Sequence, residues 1–439
     1  MIRRSLALLL LLMLLCGAAC AEEAFYTRMP EALTAVQTTR SETVGKALTV
    51  KRTCPRTSCA QVDAEIAALV EEMVQAAHPA AQASGAELLD VGAVITRSGT
   101  SFMSFLTIAE TTGGRELLSA SYDARVYDMA TGERVTMADV LAADGSGYDL
   151  LAQAVREQLG AAFPAETADE AALGALCTRA ALESAPFTLG AASMTLTYRA
   201  DAVYPGHETL LHVRVPYAQL RPEMTALGQA QTDNSRFRMV ALTYDDGCAQ
   251  RNTLYLLDQL RCFGAQATFF VLGERIASNH NVLARQQNAG YSIQTHTWGH
   301  HYTWELSREE KLEERDRFAA ALAAVTGVPP ALMRAPGGSE EGYDVGYPLI
   351  HWSLATGDSS SDNVQEIVER TKWSLDDGDI VLMHDINANC SKYTREIVES
   401  LTERGYMLVT VQELFLDAGI PLEDGMVYYS TARVSRAEE

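Results

Sequence analysis

The second half of this 439-residue chain has a rhythm that few folds can accommodate. Apolar runs at 239–244, 267–271, 291–294, 331–334, 349–352, 380–384 and 407–411 read as strands. Segments of helical period fall between or after them, at 250–262, 279–288, 307–326, 363–375 and 393–404. Short apolar strands alternating with helical segments argue for a parallel sheet covered on both sides, open or closed into a barrel. Chemistry in such α/β folds collects at the C-terminal ends of the strands.

The first half follows another pattern. From 87 to 141 the chain reads as antiparallel strands, with turns at Thr111-Thr112-Gly113-Gly114 and Ala130-Thr131-Gly132-Glu133. Helical patterns cover 61–77, 148–159 and 168–182, and a strand pair covers 192–199 and 209–215. The sum is a smaller α+β domain with a meandering sheet. The hydrophobic pattern lapses between Arg221 and Arg238, which marks the boundary. The expected organisation is a signal peptide at 1–21, a linker at 22–42, the α+β domain at 43–221, a linker at 222–236, the α/β domain at 237–420 and a tail at 421–439.

Met1-Ile2-Arg3-Arg4, the apolar run from Leu6 to Leu15 and Ala19-Cys20-Ala21 have the order of a secretory signal with its cleavage site. Cys20 also allows a lipid anchor. No later run is long and apolar enough for a membrane span. The formal charge of −22 disfavours nucleic acid as a partner, because phosphate backbones would be repelled. Export permits disulfides. Of eight cysteines, Cys54 and Cys59 enclose a short Pro-Arg-Thr-Ser loop and are the expected pair.

Three islands carry the chemistry. Asp245-Asp246 follow the buried run Met239-Val240-Ala241-Leu242 and precede Gly247, which permits a sharp turn. Neighbouring side chains diverge at a strand end, so one carboxylate can bind a metal while the other faces substrate. His296 and His300 are four apart, and a turn of helix would put both imidazoles on one face; His301 competes at a spacing of five. A His2Asp set suits zinc, cobalt or another divalent ion, and could bring the pKa of a bound water to roughly 7. His384 ends the apolar strand 380–383, where Asp358 would fix its tautomer and favour its protonated form. Arg334 also follows a strand and could hold a carboxylate base through a forked contact.

The ordered islands Thr243-Tyr244-Asp245-Asp246-Gly247, His296-Thr297-Trp298-Gly299-His300, Arg334-Ala335-Pro336-Gly337-Gly338, Trp352-Ser353 with Asp358, and Leu382-Met383-His384 resemble the NodB-homology polysaccharide deacetylases, carbohydrate esterase family four. The resemblance covers about 237–416. It implies a distorted (β/α) barrel and metal-dependent removal of N-acetyl groups from a β-linked amino sugar polymer. Asp245 then matches the general base, and Asp246, His296 and His300 the metal ligands, for a divalent ion such as Zn2+ or Co2+. Arg334 matches the residue that orients the base, His384 the general acid, and Asp358 the carboxylate that tunes it. Gly337 lies where a backbone N–H stabilises the oxyanion. Trp298 and Trp304 flank the metal island and could stack on sugar rings.

The chain departs from the family pattern in places. Ala355 and Ser359 replace an aspartate and a tryptophan of the fourth island, Gly337 replaces an aromatic, and Cys248 stands where proline is common. The segment 339–345 is short, so one crossover helix is expected to be missing. Cys248 and Cys390 follow islands whose loops adjoin in a closed barrel, and are expected to pair. The first half, through Tyr127-Asp128-Met129-Ala130-Thr131-Gly132-Glu133-Arg134-Val135-Thr136 and Val203-Tyr204-Pro205-Gly206-His207, resembles the extracytoplasmic domain of RsiV-type anti-sigma factors, where it binds lysozyme. Together these imply an exported deacetylase of peptidoglycan in the cell envelope. An O-acetyl xylan esterase and a weakly active envelope glycan- or lysozyme-binding protein are the alternatives.

Overall fold

The computed structural model describes residues 33–44, 48–143, 146–339 and 345–436, so the expected signal segment 1–21, Cys20 included, lies outside the described residues. Three sheets organise the chain. The first has the order β1 (Ala35–Val44), β2 (Leu48–Thr57), β3 (Leu88–Ser98), β4 (Phe102–Gly113), β5 (Glu116–Asp128) and β6 (Glu133–Val135). β2 and β3 are parallel, joined through the helix Ala60–Ala83; the other neighbours are antiparallel. That helix buries Val62, Ile66, Leu69, Val70 and Val74, whose spacings of one, three and four give it one apolar face. A second sheet, β7 (Phe187–Leu189), β8 (Ser193–Arg199) and β9 (Leu210–Pro216), is antiparallel and shares a core with the helix Ser146–Gly160.

The third sheet contains β10 (Arg238–Asp245), β11 (Thr268–Val271), β12 (Ser292–Thr295), β13 (Leu349–Ile350), β14 (Leu354–Ala355), β15 (Asp379–His384), β16 (Tyr406–Val409), β17 (Met426–Ser430) and β18 (Arg433–Arg436). Its path runs β12-β11-β10-β15-β17-β13, with β16 on β10, β14 on β15 and β18 on β17. Met333 bridges to Thr295 on one side and to Leu349 on the other, bringing the ends of the path together into a distorted barrel. Alternate residues of β10 enter different cores: Met239 and Ala241 join one, while Val240, Leu242 and Tyr244 pack with Leu256 and Leu260 of the helix Gln250–Cys262. The helix Arg308–Thr326 starts at a Ser307–Glu310 capping box and stops at left-handed Gly327, whose N–H donates to Ala323.

Several expectations need correction. Part of the expected linker 22–42 is strand β1, whose exposed Thr39–Thr43 stretch carries no hydrophobic signal. The expected linker 222–236 contains the helix Ala226–Gln231, and Gln231 and Asn234 bond the turn Gly99–Ser101. The expected tail 421–439 supplies β17, which pairs with β13 and closes the barrel, and β18. The helix expected over 168–182 is two helices, Glu170–Leu176 and Arg179–Glu183, the second capped by the Thr178 hydroxyl. The strand expected at 331–334 is reduced to the Met333 bridges. Between Arg334 and β13 the described residues hold the short turn Pro336–Gly338; most of the segment 339–345, where a crossover helix is expected to be missing, lies outside the described residues.

Neither expected disulfide is present: Cys54, Cys59, Cys248 and Cys390 are all unbonded. Cys54 and Cys59 are both half-buried against the core of the first sheet, and the Cys59 sulfur faces the Gly132 turn. The Cys390 sulfur faces the Thr394 hydroxyl at 3.8 Å.

A buried charge cluster joins the first sheet to the barrel. Asp90 on β3, 1% exposed, takes Arg285 at 2.7 Å, Arg261 at 2.9 Å and Lys51 at 3.1 Å. Burial opposes the charge on Asp90, but the three cations outweigh it and hold the carboxyl well below its usual range. Among the described residues no helix is long and apolar enough to cross a membrane.

Candidate active site

β10 and β15 are parallel neighbours, and their register places Asp245 opposite His384 at the C-terminal ends. Asp246 takes a left-handed backbone (φ 70°), and both carboxylates approach His296 Nε2, Asp246 Oδ1 at 3.5 Å and Asp245 Oδ2 at 3.8 Å. Asp245 stays buried within the barrel and meets Arg334: Nη1 donates to Oδ1 at 2.8 Å. Arg334 is 0% exposed and fully engaged. The same Nη1 reaches Thr243 Oγ1 at 2.7 Å, Nε donates to the Ile350 carbonyl, Nη2 donates to the His351 carbonyl, and the guanidinium lies over the Phe270 ring. The expected forked contact on the carboxylate is therefore a single bond, with other donors going to the Thr243 hydroxyl and to two barrel carbonyls.

His296 and His300 converge, but not on a helix. Residues 296–302 form an irregular loop after β12, with Thr297 (φ 71°) and His300 (φ 60°) both left-handed and His300 N–H donating to Thr297 Oγ1. Non-glycine residues held this way are strained, and such strain gathers at functional sites. His296 Nδ1 donates to the Arg334 carbonyl at 2.8 Å, which leaves Nε2 as a lone-pair donor toward the cavity. Burial pushes His296 down, keeping the ring neutral as a ligand must be. His301 turns away to Glu314 at 2.8 Å.

Asp246, His296 and His300 offer one ligand atom each, all within 4.8 Å of one another. Asp246 Oδ1 lies 3.5 Å from both Nε2 atoms, is buried, and makes no hydrogen bond. Donors about 2.0–2.1 Å from one tetrahedral ion sit roughly 3.3 Å apart, so this spacing fits a divalent cation. A buried carboxylate oxygen without a donor is otherwise costly, on the order of 1–3 kcal/mol or more.

On the other flank His384 Nδ1 meets Asp358 Oδ1 at 2.9 Å. Asp358 Oδ2 accepts the His384 backbone N–H and the Tyr393 hydroxyl at 2.6 Å. Burial opposes the imidazolium, but the Asp358 bond and charge, with Asp245 and Asp246, raise His384 to about 9. Gly337 follows Arg334 in a tight turn with φ 66°, a conformation that favours glycine.

Trp298 packs against Gly273 under the Arg317 guanidinium and borders a cavity of about 410 Å³ with His207, Glu116 and His280. Trp304 is exposed and stacks on Tyr302. Tyr302, Tyr393 and Asp385 are site neighbours that the sequence does not single out, and Thr243, named only as part of its island, proves to bond Arg334. Asp385 is buried against Gly247 and Thr253, and burial pushes it up to about 7. Its place directly after His384 is the one available signal; Tyr393, within an ordinary amphipathic helix, offers none.

A polysaccharide deacetylase family profile matches residues 232–345. The peptidoglycan-N-acetylglucosamine deacetylase of Bacillus cereus is 32% identical over 188 residues, covering 40% of this chain and 88% of that protein. Peptidoglycan-N-acetylglucosamine deacetylase PgdA of Listeria monocytogenes is 31% identical over 195 residues, 44% of this chain, and the match spans only 41% of PgdA. The solved peptidoglycan deacetylase PdaC of Bacillus subtilis shares 31% identity, covers 42% of this chain and 92% of that one, and superposes with a TM-score of 0.41. The chain belongs to the polysaccharide deacetylase family.

Proposed function

We propose that this protein is an exported, metal-dependent deacetylase that hydrolyses N-acetyl groups of peptidoglycan amino sugars. One observation carries the reading: two separately braced groups, Asp245 with Arg334 and His384 with Asp358, face each other across adjacent strand ends beside the three-donor cluster. Zinc, or cobalt in its place, held by Asp246, His296 and His300, would supply Lewis acidity toward water and the acetyl carbonyl.

Asp245 accepts the proton of the attacking water, and the single Arg334 bond keeps its other oxygen directed to the cavity. The Gly337 N–H receives the developing oxyanion. His384, charged through Asp358, delivers its proton to the departing sugar amine, without which the amide C–N bond does not break. Peptidoglycan is the favoured substrate because the relatives in Bacillus cereus and Listeria monocytogenes carry that activity in their names. The N-terminal segment 1–21 would direct the chain to the cell envelope.

The test is acetate release from peptidoglycan, chitooligosaccharides and acetylated xylan by the full chain, before and after chelation and zinc or cobalt reloading. Release from the two N-acetylated polymers, lost on chelation and in Asp245→Asn and His384→Ala, is expected. Release from xylan alone, or release indifferent to chelation, overturns the reading.

A further inference from the structure

Both groove-wall aromatics that the family resemblance calls for are missing: Gly337 and Ser359 stand in their places. The structure shows where one of them is made good. A Cβ built on Gly337 would lie 2.8 Å from Tyr302 Cε1, so the Tyr302 ring occupies the space over that glycine. The same ring sits edge-on to the metal-cluster residue His300, with centroids 5.8 Å apart at 80°. Trp304 then stacks flat on Tyr302, 4.8 Å away and 3° from parallel, and is 75% exposed. His300, Tyr302 and Trp304 thus form a continuous file of rings leading out of the cavity. On the opposite flank Ser359, exposed next to Asp358, contributes no ring.

An indole left this exposed forfeits its burial energy unless something apolar and flat covers it. The C–H face of a pyranose has that character, and a β-linked glycan entering the cavity would run its next sugars over this file. The location also explains the tyrosine: Tyr302 fills the floor beside the reacting sugar, while Trp304 meets a sugar further along. We infer that Tyr302 and Trp304 form a stacking subsite for neighbouring sugars of the glycan chain on the His300 flank, so that longer chains bind better through that side alone. This inference deepens the proposed deacetylase reading and rests on it for the identity of the polymer.

Binding of N-acetylglucosamine di-, tri-, tetra- and pentamers to the full, zinc-loaded chain carrying Asp245→Asn is measured by calorimetry, and acetate release is followed separately in the wild type. Affinity should rise with length, and Trp304→Ala should weaken pentamer binding on the order of tenfold and flatten the length dependence. Trp304→Phe should keep most of the gain. Trp373→Ala, which removes another exposed indole, should leave the gain unchanged. A length gain that survives Trp304→Ala, or that Trp373→Ala removes equally, overturns the subsite. Trp304-dependent binding with no acetate released by the wild type from any N-acetylated substrate keeps the subsite and refutes the hydrolase instead.

Discussion

Asp358→Asn is the sharpest probe of the acid side of the site. In the wild type, burial works against the His384 imidazolium, and the hydrogen bond and negative charge of Asp358 do most to overcome it, raising the ring from 6.5 to about 9. Asparagine keeps the shape and can still accept from Nδ1–H through its amide oxygen while the charge is lost. Its NH2 then replaces the oxygen that accepts the His384 backbone N–H and the Tyr393 hydroxyl, a cost read separately by urea unfolding. Burial then opposes only the weaker pull of Asp245 and Asp246, and His384 should titrate at or below its ordinary value. At pH 8 a ring with pKa 9 is about 90% protonated and one with pKa 6.5 about 3%, so kcat/KM at that pH should fall about thirty-fold, with a much smaller loss near pH 6. The alkaline limb of the rate profile should therefore move down by about two pH units or more, both proteins being compared in the same metal state. Stability follows with the same sign. A histidine raised on folding contributes fully below pH 6.5, and its contribution, at most about 3 kcal/mol, fades as pH rises through 9. Imidazole titration by NMR in the metal-free protein checks this directly. His384 titrating near 6.5 in the wild type, or an unmoved alkaline limb in Asp358→Asn, would refute the reasoning.

Other outcomes follow from the same geometry. Arg334→Ala leaves Asp245 buried without its cation and strips donors from the Ile350 and His351 carbonyls; urea unfolding should show a loss of about 3–5 kcal/mol, with acetate release abolished. Removing the bound metal should lower Tm, and reloading with a divalent ion at a hundred times Kd should restore about 2.7 kcal/mol, a gain that His300→Ala largely removes in a thermal shift assay. Asp90→Asn should cost roughly 3–5 kcal/mol, because Arg261 and Arg285 stay buried around a neutral amide. Gly273→Ala should be destabilising by about 1–3 kcal/mol on chemical denaturation, since the new methyl strikes the Trp298 ring.

The barrel is readable because its strands are short, mostly apolar and interleaved with helices of clear period; β10 and the helix Gln250–Cys262 lie where the pattern puts them, give or take a residue. What escapes the sequence is held by tertiary contacts rather than local pattern. β1 is a polar strand paired along its whole length with β2, and β17 lies beyond the alternating strand and helix pattern, so neither is picked out by it. The convergence of His296 and His300 is legible from their identity and spacing, but a turn of helix is not its cause. A hydrogen bond to the Thr297 hydroxyl and two left-handed residues bring the rings together, and single-sequence periodicity contains no trace of either. Tyr302 gives no sign of itself in the sequence because its role exists only once Gly337 lies beneath it.

The ion cluster around Asp90 has a consequence for how the chain can be cut or recombined. Its cations Arg261 and Arg285 belong to the barrel, whereas Asp90 and Lys51 belong to the preceding sheet. A barrel excised at the pattern break near residue 230 would carry two adjacent guanidinium groups stripped of their principal counter-charge, mutually repelling and newly wetted. Any recombination that gives the barrel a new neighbour must supply an acidic group for that socket beyond the barrel's own Asp258, or neutralise the arginines first.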